Sequence, residues 1–390
     1  MILFITDNFL PHLGGSRLIY YNLCLRMPVS IALVTRKLPG VRDFDSRQPF
    51  KIMRIILDPL PARFSQLNEY WNLFIMSIYG FLLCLKKKPD IIHCGEIIPT
   101  AVAGFILSRI FKIPYLIYCH SEEIGFLKKL KREKRLGLFL LQQAGLILAL
   151  CEAVKEELVR IGISQDKISK ITPGISENYL KPIPAQEILE FKTFKKFDNK
   201  KIILTVARLI ERKNHQAVIM ALKEIIKMIP DVLYVIVGEG PEEDTLRILV
   251  KNLGLKDYVR FEGFQSGDLA KYYASCDVFA MPTKQLASGD VEGFGIVFIE
   301  AGAFGKPVIG GNVGGSSDSI IDGITGLRVD GEDASEIKKA LLSLLTDEEY
   351  AKRMGEAAEK RVKKDFLWPA RAEEIFRISE KLASDYRRRR

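Results

Sequence analysis

Short runs of aliphatic and β-branched residues recur along this 390-residue chain, and most are followed by a helical pattern. Residues 2–6 (ILFIT) open the series, leading through Gly14-Gly15 into an amphipathic segment at 17–25. Residues 202–207 (IILTVA) start the same plan again, with a helical pattern near 216–227. Further runs lie at 31–35, 90–93, 115–119, 146–150, 168–172, 232–237, 277–281 and 307–309. Continuous apolar strands alternating with helices predict parallel sheets covered on both faces. The restart near residue 200, in a chain long enough for two or three domains, predicts an α/β protein of two Rossmann-like domains facing a cleft. Pro173-Gly174, Pro182 and Pro184, followed by a Lys-rich stretch, place the boundary within 174–200. The expected domains are therefore 1–175 and 176–368. In such sheets ligands sit beyond the carboxyl ends of the strands, so chemistry is sought just after each apolar run.

Composition excludes several classes. With 48% hydrophobic and 27% charged residues the chain is neither disordered nor collagen-like. Its six cysteines fall in no metal-ligand spacing, and buried thiols of a cytosolic protein are expected. The opening stretch MILFITDNFL lacks a basic segment, and no secretory signal is expected. Residues 70–85 carry no charge and precede Lys86-Lys87-Lys88. A span needs about 20 apolar residues, so this segment is expected to be a buried helix. The formal net charge of +10 is uneven. Residues 1–180 hold 24 Lys and Arg against 15 Asp and Glu, and the remainder holds 34 against 33. A basic first half suits an anionic partner: a membrane, a phosphorylated substrate or a nucleic acid. The chain has no nucleic-acid module and no interleaved aromatic–basic pattern, and no nucleic-acid partner is expected.

The most informative stretch is DVEGFGIVFIEA at 290–301, with Glu292 and Glu300 separated by seven residues. A helix beginning near Gly295 would turn free backbone N–H groups toward an anion, with Glu300 one turn in and able to accept hydrogen bonds from sugar hydroxyls. Taken alone, both glutamates could equally be solvated carboxylates favoured by the helix dipole. Arg208 directly follows the run at 202–207, where a guanidinium can clamp phosphate oxygens, and Lys213 could supply a second cation. A solvated basic loop reads as well. Gly14-Gly15 allows close backbone approach to a ligand, as ordinary turns also do. His120 ends the run at 115–119, and Gly310–Asp318 follows the run at 307–309.

In this order the motifs resemble the family-four retaining glycosyltransferases of the GT-B fold, from Pro11–Gly15 through to Gly326-Leu327. The wording DVEGFGIVFIEAGAFGKPVIGG is similar to the phosphatidylinositol-mannoside mannosyltransferase branch. The resemblance implies a nucleotide-sugar donor held mainly by the second domain, with the acceptor against the first. Arg208 and Lys213 would contact the diphosphate, with Gly15, next to Gly14, approaching it from the first domain. Glu300 would bind the ribose, and Glu292 with the backbone of Phe294, Gly295 and Ile296 would contact the hexose. His120 would touch that hexose from the first domain. No metal or other cofactor is expected. A final helix over 369–390 would cross back to complete the first domain. Two departures stand out: Ser317-Asp318 where the family has Pro-Glu, and Ser121-Glu122 after His120.

The expected activity is transfer of a hexose to a hydroxyl acceptor, lipid-linked or glycan. GDP-mannose is the leading donor and a UDP-sugar the alternative. A GT-B nucleotide-sugar epimerase would need acid and base residues that find no place here. The basic run 128–135, flanked by Phe126 and Phe139, is expected to dock the protein peripherally at the cytoplasmic face of an anionic plasma membrane. A solvated helix face is the alternative.

Overall fold

A computed structural model describes residues 1–11, 14–121, 123, 125, 131–265 and 267–389. Contacts divide the chain into two compact units, Met1–Pro173 with Trp368–Arg390, and Gly174–Leu367. The first holds a sheet of seven strands: β1 (Ile2–Ile5), β2 (Ile31–Arg36), β3 (Lys51–Ile55), β4 (Ile91–Cys94), β5 (Tyr115–Cys119), β6 (Leu146–Ala149) and β7 (Ile168–Lys170). Their order is β3-β2-β1-β4-β5-β6-β7, every pair parallel. The second unit holds β8 (Lys201–Val206), β9 (Val232–Val237), β10 (Val259–Phe261), β11 (Val278–Met281), β12 (Val308–Gly311) and β13 (Gly326–Val329). Here the order is β10-β9-β8-β11-β12-β13, again all parallel. Both sheets follow the Rossmann plan, with the first strand of each half near the centre and crossover helices between strands.

The central strands are apolar because both faces are covered. β1 and β9 are buried throughout; alternate residues of β1, β4 and β5 join one core, and those of β8, β9 and β11 supply two more, one on each face of the second sheet. All six cysteines are buried and free, as their apolar settings suggested.

The last helix, Trp368–Arg388, belongs to the first unit, as expected for a crossing C-terminal helix. It packs on the helix Gly15–Arg26 and buries Ala372, Ile375, Ser379 and Ala383. Ser379 is fixed from both sides: its Oγ donates to the carbonyl of Ile375 at 2.7 Å and pairs with His93 Nε2 at 3.0 Å. Burial pushes the His93 pKa down to about 3, so the ring is neutral.

The segment at 70–85 corrects an expectation. It lies in the helix Ser65–Lys87, but only one face of that helix is buried, through Asn68, Asn72, Met76, Gly80, Leu83 and Cys84. The opposite face leaves Trp71, Phe74, Leu82 and Leu85 exposed. Periodicity-blind apolarity predicts burial, whereas this helix has apolar residues all round and only one surface to pack against. Among the described residues no helix is long and apolar enough to cross a membrane.

Candidate functional site

In the second unit, the loops leaving β8, β11 and β12 carry the residues singled out by spacing. β8 ends at Val206, and Arg208 follows with an exposed side chain that makes no hydrogen bond or ion pair with any described residue. Its backbone is fixed: the carbonyl lies 3.3 Å from Nε2 of buried His215, whose Nδ1 is 3.3 Å from the Tyr234 hydroxyl. Burial pushes the His215 pKa down to about 4 despite the Arg208 carbonyl, so the ring is neutral near pH 7. Asn214, at φ 60, donates from Nδ2 to the carbonyls of Pro282 (2.8 Å) and Gly331 (2.7 Å). The β8 loop is thereby stitched to the ends of β11 and β13.

Lys213 and Arg212, on the single 3-10 turn Glu211–Lys213, converge on one carboxylate. Arg212 Nη1 donates to Glu292 Oε2 at 2.9 Å and its Nε to Asp290 Oδ2 at 3.1 Å, while Lys213 Nζ pairs with the same Glu292 oxygen. The Glu292 and Arg212 side chains are about nine-tenths buried. Burial alone would raise the Glu292 carboxyl, but Lys213 and Arg212 overcome it and hold the group below the ordinary carboxylate range. Arg212 is thus a member of the site that residue spacing missed. Its signal was the alternation Arg-Leu-Ile-Glu-Arg-Lys, in which a cation next to Lys213 reads as surface charge.

Glu300 sits apart from that network. The helix is Ile296–Ala303, capped by Gly295 at φ +75, a backbone conformation that favours glycine. Glu300 lies one turn in and partly exposed; its Oε2 accepts the Tyr273 hydroxyl at 2.7 Å, and Tyr179 also bonds to it. Burial raises this carboxyl against the lowering effect of the two phenols. Phe294 is buried against Phe366, with ring centroids 5.7 Å apart, so its side chain belongs to the core and only its backbone faces the loop.

The glycine run after β12 has a packing reason. Gly315 N–H donates to the Glu292 carbonyl at 2.8 Å, and a Cβ on Gly315 would lie 1.9 Å from the Gly293 carbonyl oxygen. Gly314–Gly315 therefore lets the Glu292 loop settle on the β12 loop. Asp318 is 8% exposed, and its carbonyl accepts from Arg361 at 2.5 Å.

In the first unit, His120 directly follows β5. Its Nε2 pairs with the Tyr20 hydroxyl at 2.5 Å, and its backbone N–H donates to Glu123 Oε2 at 2.7 Å. Because the Tyr20 hydroxyl donates to the Gly95 carbonyl, the ring must be the donor to Tyr20, leaving Nδ1 as the unprotonated nitrogen. Burial pushes its pKa down to about 3. Tyr20 lies on the helix that starts at Gly15, so His120 and the glycine pair share one support. Neither glycine is demanded by packing: Gly14 has φ 172, and nothing lies within 4 Å of a Cβ on Gly15. Glu122 and residues 126–130 of the basic segment lie outside the described residues; a helix covers Lys131–Gln143.

Glu96, just beyond β4, was not anticipated. It is 7% exposed, and its carboxylate accepts from Thr6 Oγ1 (2.6 Å), Asp7 N (3.1 Å) and Asn8 Nδ2 (3.2 Å). Burial pushes its pKa up to about 7, against these hydrogen bonds. It is the only acid between residues 91 and 120, which was a legible signal. Among the described residues no group of three or more His, Cys, Asp or Glu side chains could hold a metal ion.

Two family matches cover most of the chain. Residues 25–179 match Glycosyltransferase Family 4, and residues 186–361 match Glycosyl transferases group 1. A GDP-mannose-dependent alpha-(1-6)-phosphatidylinositol monomannoside mannosyltransferase of Mycolicibacterium smegmatis is 26% identical over 95% of this chain and 96% of its own length. An N-acetyl-alpha-D-glucosaminyl L-malate synthase of Bacillus anthracis is 28% identical over 77% of this chain and 74% of its own. The crystal structure of Anabaena HepE in complex with UDP-glucose superposes with a TM-score of 0.79 at 21% identity, covering 98% of this chain and 99% of that one.

Proposed function

Because the chain belongs to glycosyltransferase family 4, a retaining family that uses nucleotide-sugar donors, we propose that it moves mannose from GDP-mannose to a hydroxyl acceptor and that Gly174–Leu367 holds the donor. Mannose is favoured by the similarity to the mannosyltransferase of M. smegmatis over nearly the whole of both chains. A UDP-sugar donor is the competing reading. The acceptor is a hydroxyl compound, with a lipid-linked one favoured by the same relative.

One observation carries the assignment of roles. Beyond the carboxyl ends of adjacent strands β8 and β11, the loops carry two cations of different character, Arg208 with no side-chain partner among the described residues and Lys213 held by ionised Glu292, while the phenol-bound Glu300 follows on the helix Ile296–Ala303. Arg208 and Lys213 bind the donor diphosphate and neutralise it as it leaves, which stabilises charge developing in the transition state. Glu300 accepts ribose hydroxyls, and the backbone at Phe294–Ile296 meets the hexose. Glu292 already binds two cations through one oxygen, which lowers its nucleophilicity and argues against a covalent sugar–carboxylate intermediate. The bond from the anomeric carbon to the phosphate oxygen breaks as the acceptor oxygen attacks from the same face, and a phosphate oxygen takes the acceptor proton. Gly15 and His120 take the parts of diphosphate and hexose contacts in this reading, and the basic run at 128–135 that of a membrane contact.

The test is a donor panel of GDP-mannose, UDP-glucose and UDP-N-acetylglucosamine with a lipid extract as acceptor, the product's anomeric configuration being read by NMR. Retained mannose from GDP-mannose is expected. Turnover of a UDP-sugar alone would replace the donor assignment.

A further inference from the structure

The helix Ser65–Lys87 has two apolar faces and uses only one of them for folding. Its inner face is pinned by polar as well as apolar contacts. Asn68 accepts from the Leu60 N–H (3.0 Å) and donates to the Leu60 carbonyl (2.8 Å). Asn72 does the same with the Asp58 N–H and carboxylate, both at 2.8 Å. Met76, Leu83 and Cys84 join the core of the first unit. The outer face is a stripe at steps of three and four residues: Leu67, Trp71, Phe74, Ile78, Leu82 and Leu85. At 100° per residue these positions centre about opposite the buried ones. Exposure along the stripe runs from 36% at Ile78 to 58% at Phe74. A contiguous exposed apolar surface of this kind marks an interaction site.

Charge indicates what covers it. The only acid in the helix is Glu69, exposed but about opposite the stripe at 100° per residue. Both ends are basic: Arg63 stands just before the helix, its guanidinium over the Phe64 ring at 5.0 Å, and Lys86, Lys87 and Lys88 close it. The whole charge surplus lies in the same unit. Met1–Pro173 with Trp368–Arg390 carries 31 Lys and Arg against 18 Asp and Glu, and Gly174–Leu367 carries 27 against 30. Protein-binding surfaces are depleted in lysine, whereas an apolar stripe with Trp and Tyr among it and lysines at its end suits a helix lying in a bilayer interface. At 1.5 Å per residue the helix presents about 34 Å of such surface. The inner-face asparagines hold it to the loop after β3, and Met76, Leu83 and Cys84 hold it to the core, so it lies along the membrane plane.

We propose that the outer face of the helix Ser65–Lys87 docks the protein on an anionic lipid bilayer, with the stripe in the acyl–headgroup boundary and Arg63 and Lys86–Lys88 on lipid phosphates. This surface differs from the basic run at 128–135 and is independent of the donor reading. Trp71 makes it directly measurable. The chain has two tryptophans, and Trp368 is buried at 3% exposure while Trp71 is 39% exposed.

The experiment uses full-length protein with vesicles of phosphatidylglycerol and phosphatidylcholine at equal parts, and with phosphatidylcholine alone. Co-sedimentation and a blue shift of Trp71 emission are expected with the anionic vesicles. The double variant Phe74→Glu/Leu82→Glu should bind about tenfold more weakly or worse, since it removes apolar burial and adds like charge to the lipid. Replacing Lys86–Lys88 by Gln should remove the preference for anionic vesicles. Both positions of the double variant are exposed, and an unchanged thermal melt verifies its fold. No binding of wild type to either vesicle overturns the proposal, as does equal binding by the double variant. A concentration-dependent dimer that the double variant dissolves, without vesicle binding, would assign the face to a second copy instead. Nucleotide binding is read separately by calorimetry, so either reading can fail without the other.

Discussion

Glu292→Gln tests the electrostatics of the site most sharply, because it removes one charge from a group of three and alters little volume. The Arg212 Nη1 to Glu292 Oε2 distance of 2.9 Å corresponds to a gross attraction of about 6 kcal/mol at an effective dielectric of 20, with Lys213 adding a similar amount. Desolvation of three buried ions cancels most of this, and breaking such a group by removing one member costs about 3–5 kcal/mol. Glutamine keeps an acceptor oxygen, which places the expected loss near the lower figure, about 3 kcal/mol. For a unit of this size that lowers the melting temperature by about 6–12 °C. The informative part is what a nucleotide then does. In the variant, Arg212 and Lys213 face each other with less neutralisation, and a diphosphate beside Lys213 replaces the missing anion. The rise in melting temperature with saturating GDP or UDP should therefore be larger in the variant than in wild type, while transfer is lost. Differential scanning fluorimetry measures both. An unchanged melting temperature would refute the buried-pair argument, and an equal or smaller nucleotide shift would refute the placement of the diphosphate at Lys213.

Three further outcomes follow from the same geometry. Glu300→Gln should weaken nucleoside diphosphate binding about tenfold in calorimetry, and Tyr273→Phe should weaken it less, since Tyr179 still orients the carboxylate; equal losses would place Tyr273 in contact with ligand. Gly315→Ala should destabilise the protein by several kcal/mol, about the scale of severe core damage, because its Cβ would fall 1.9 Å from the Gly293 carbonyl oxygen; a wild-type urea midpoint would contradict this. Between about pH 4.5 and 6.5 the folded chain keeps His93, His120 and His215 neutral and Glu96 protonated, whereas the unfolded chain protonates the histidines and ionises the glutamate. Unfolding then takes up three protons and releases one, so stability rises with pH by about 2.7 kcal/mol per unit. Glu96, with its raised pKa, contributes stability below pH 4.5 that is lost as pH climbs through 7. Glu96→Gln should steepen the rise by about half; urea midpoints at several pH values read this out.

Much of the fold was legible because the interior strands of both sheets are covered on both faces and so read as unbroken apolar runs. The three strands that escaped notice, β3, β10 and β13, are all sheet edges. Lys51-Ile-Met-Arg-Ile and Val259-Arg-Phe carry charge because one side of each strand meets solvent, and the apolar run is interrupted there. Spacing drew attention to Glu292 and Glu300 through the seven residues between them, and to Lys213 through its place five positions after Arg208. Spacing could not pair them: that Glu292 takes two cations, one of them Arg212, depends on the β8 and β11 loops meeting across a sheet. The packing role of the glycines of 310–315 was opaque for the same reason, and Glu96, though visible as a lone acid, could not be joined to partners about 90 residues away.

In the proposed mechanism Arg208, exposed and unengaged among the described residues beyond β8, neutralises the departing diphosphate. Steady-state transfer by Arg208→Ala, measured with the preferred nucleotide-sugar at saturating acceptor, tests it most directly. Turnover should fall about 10²-fold or more, as removal of a group aimed at developing charge commonly does. Turnover equal to wild type would contradict the account.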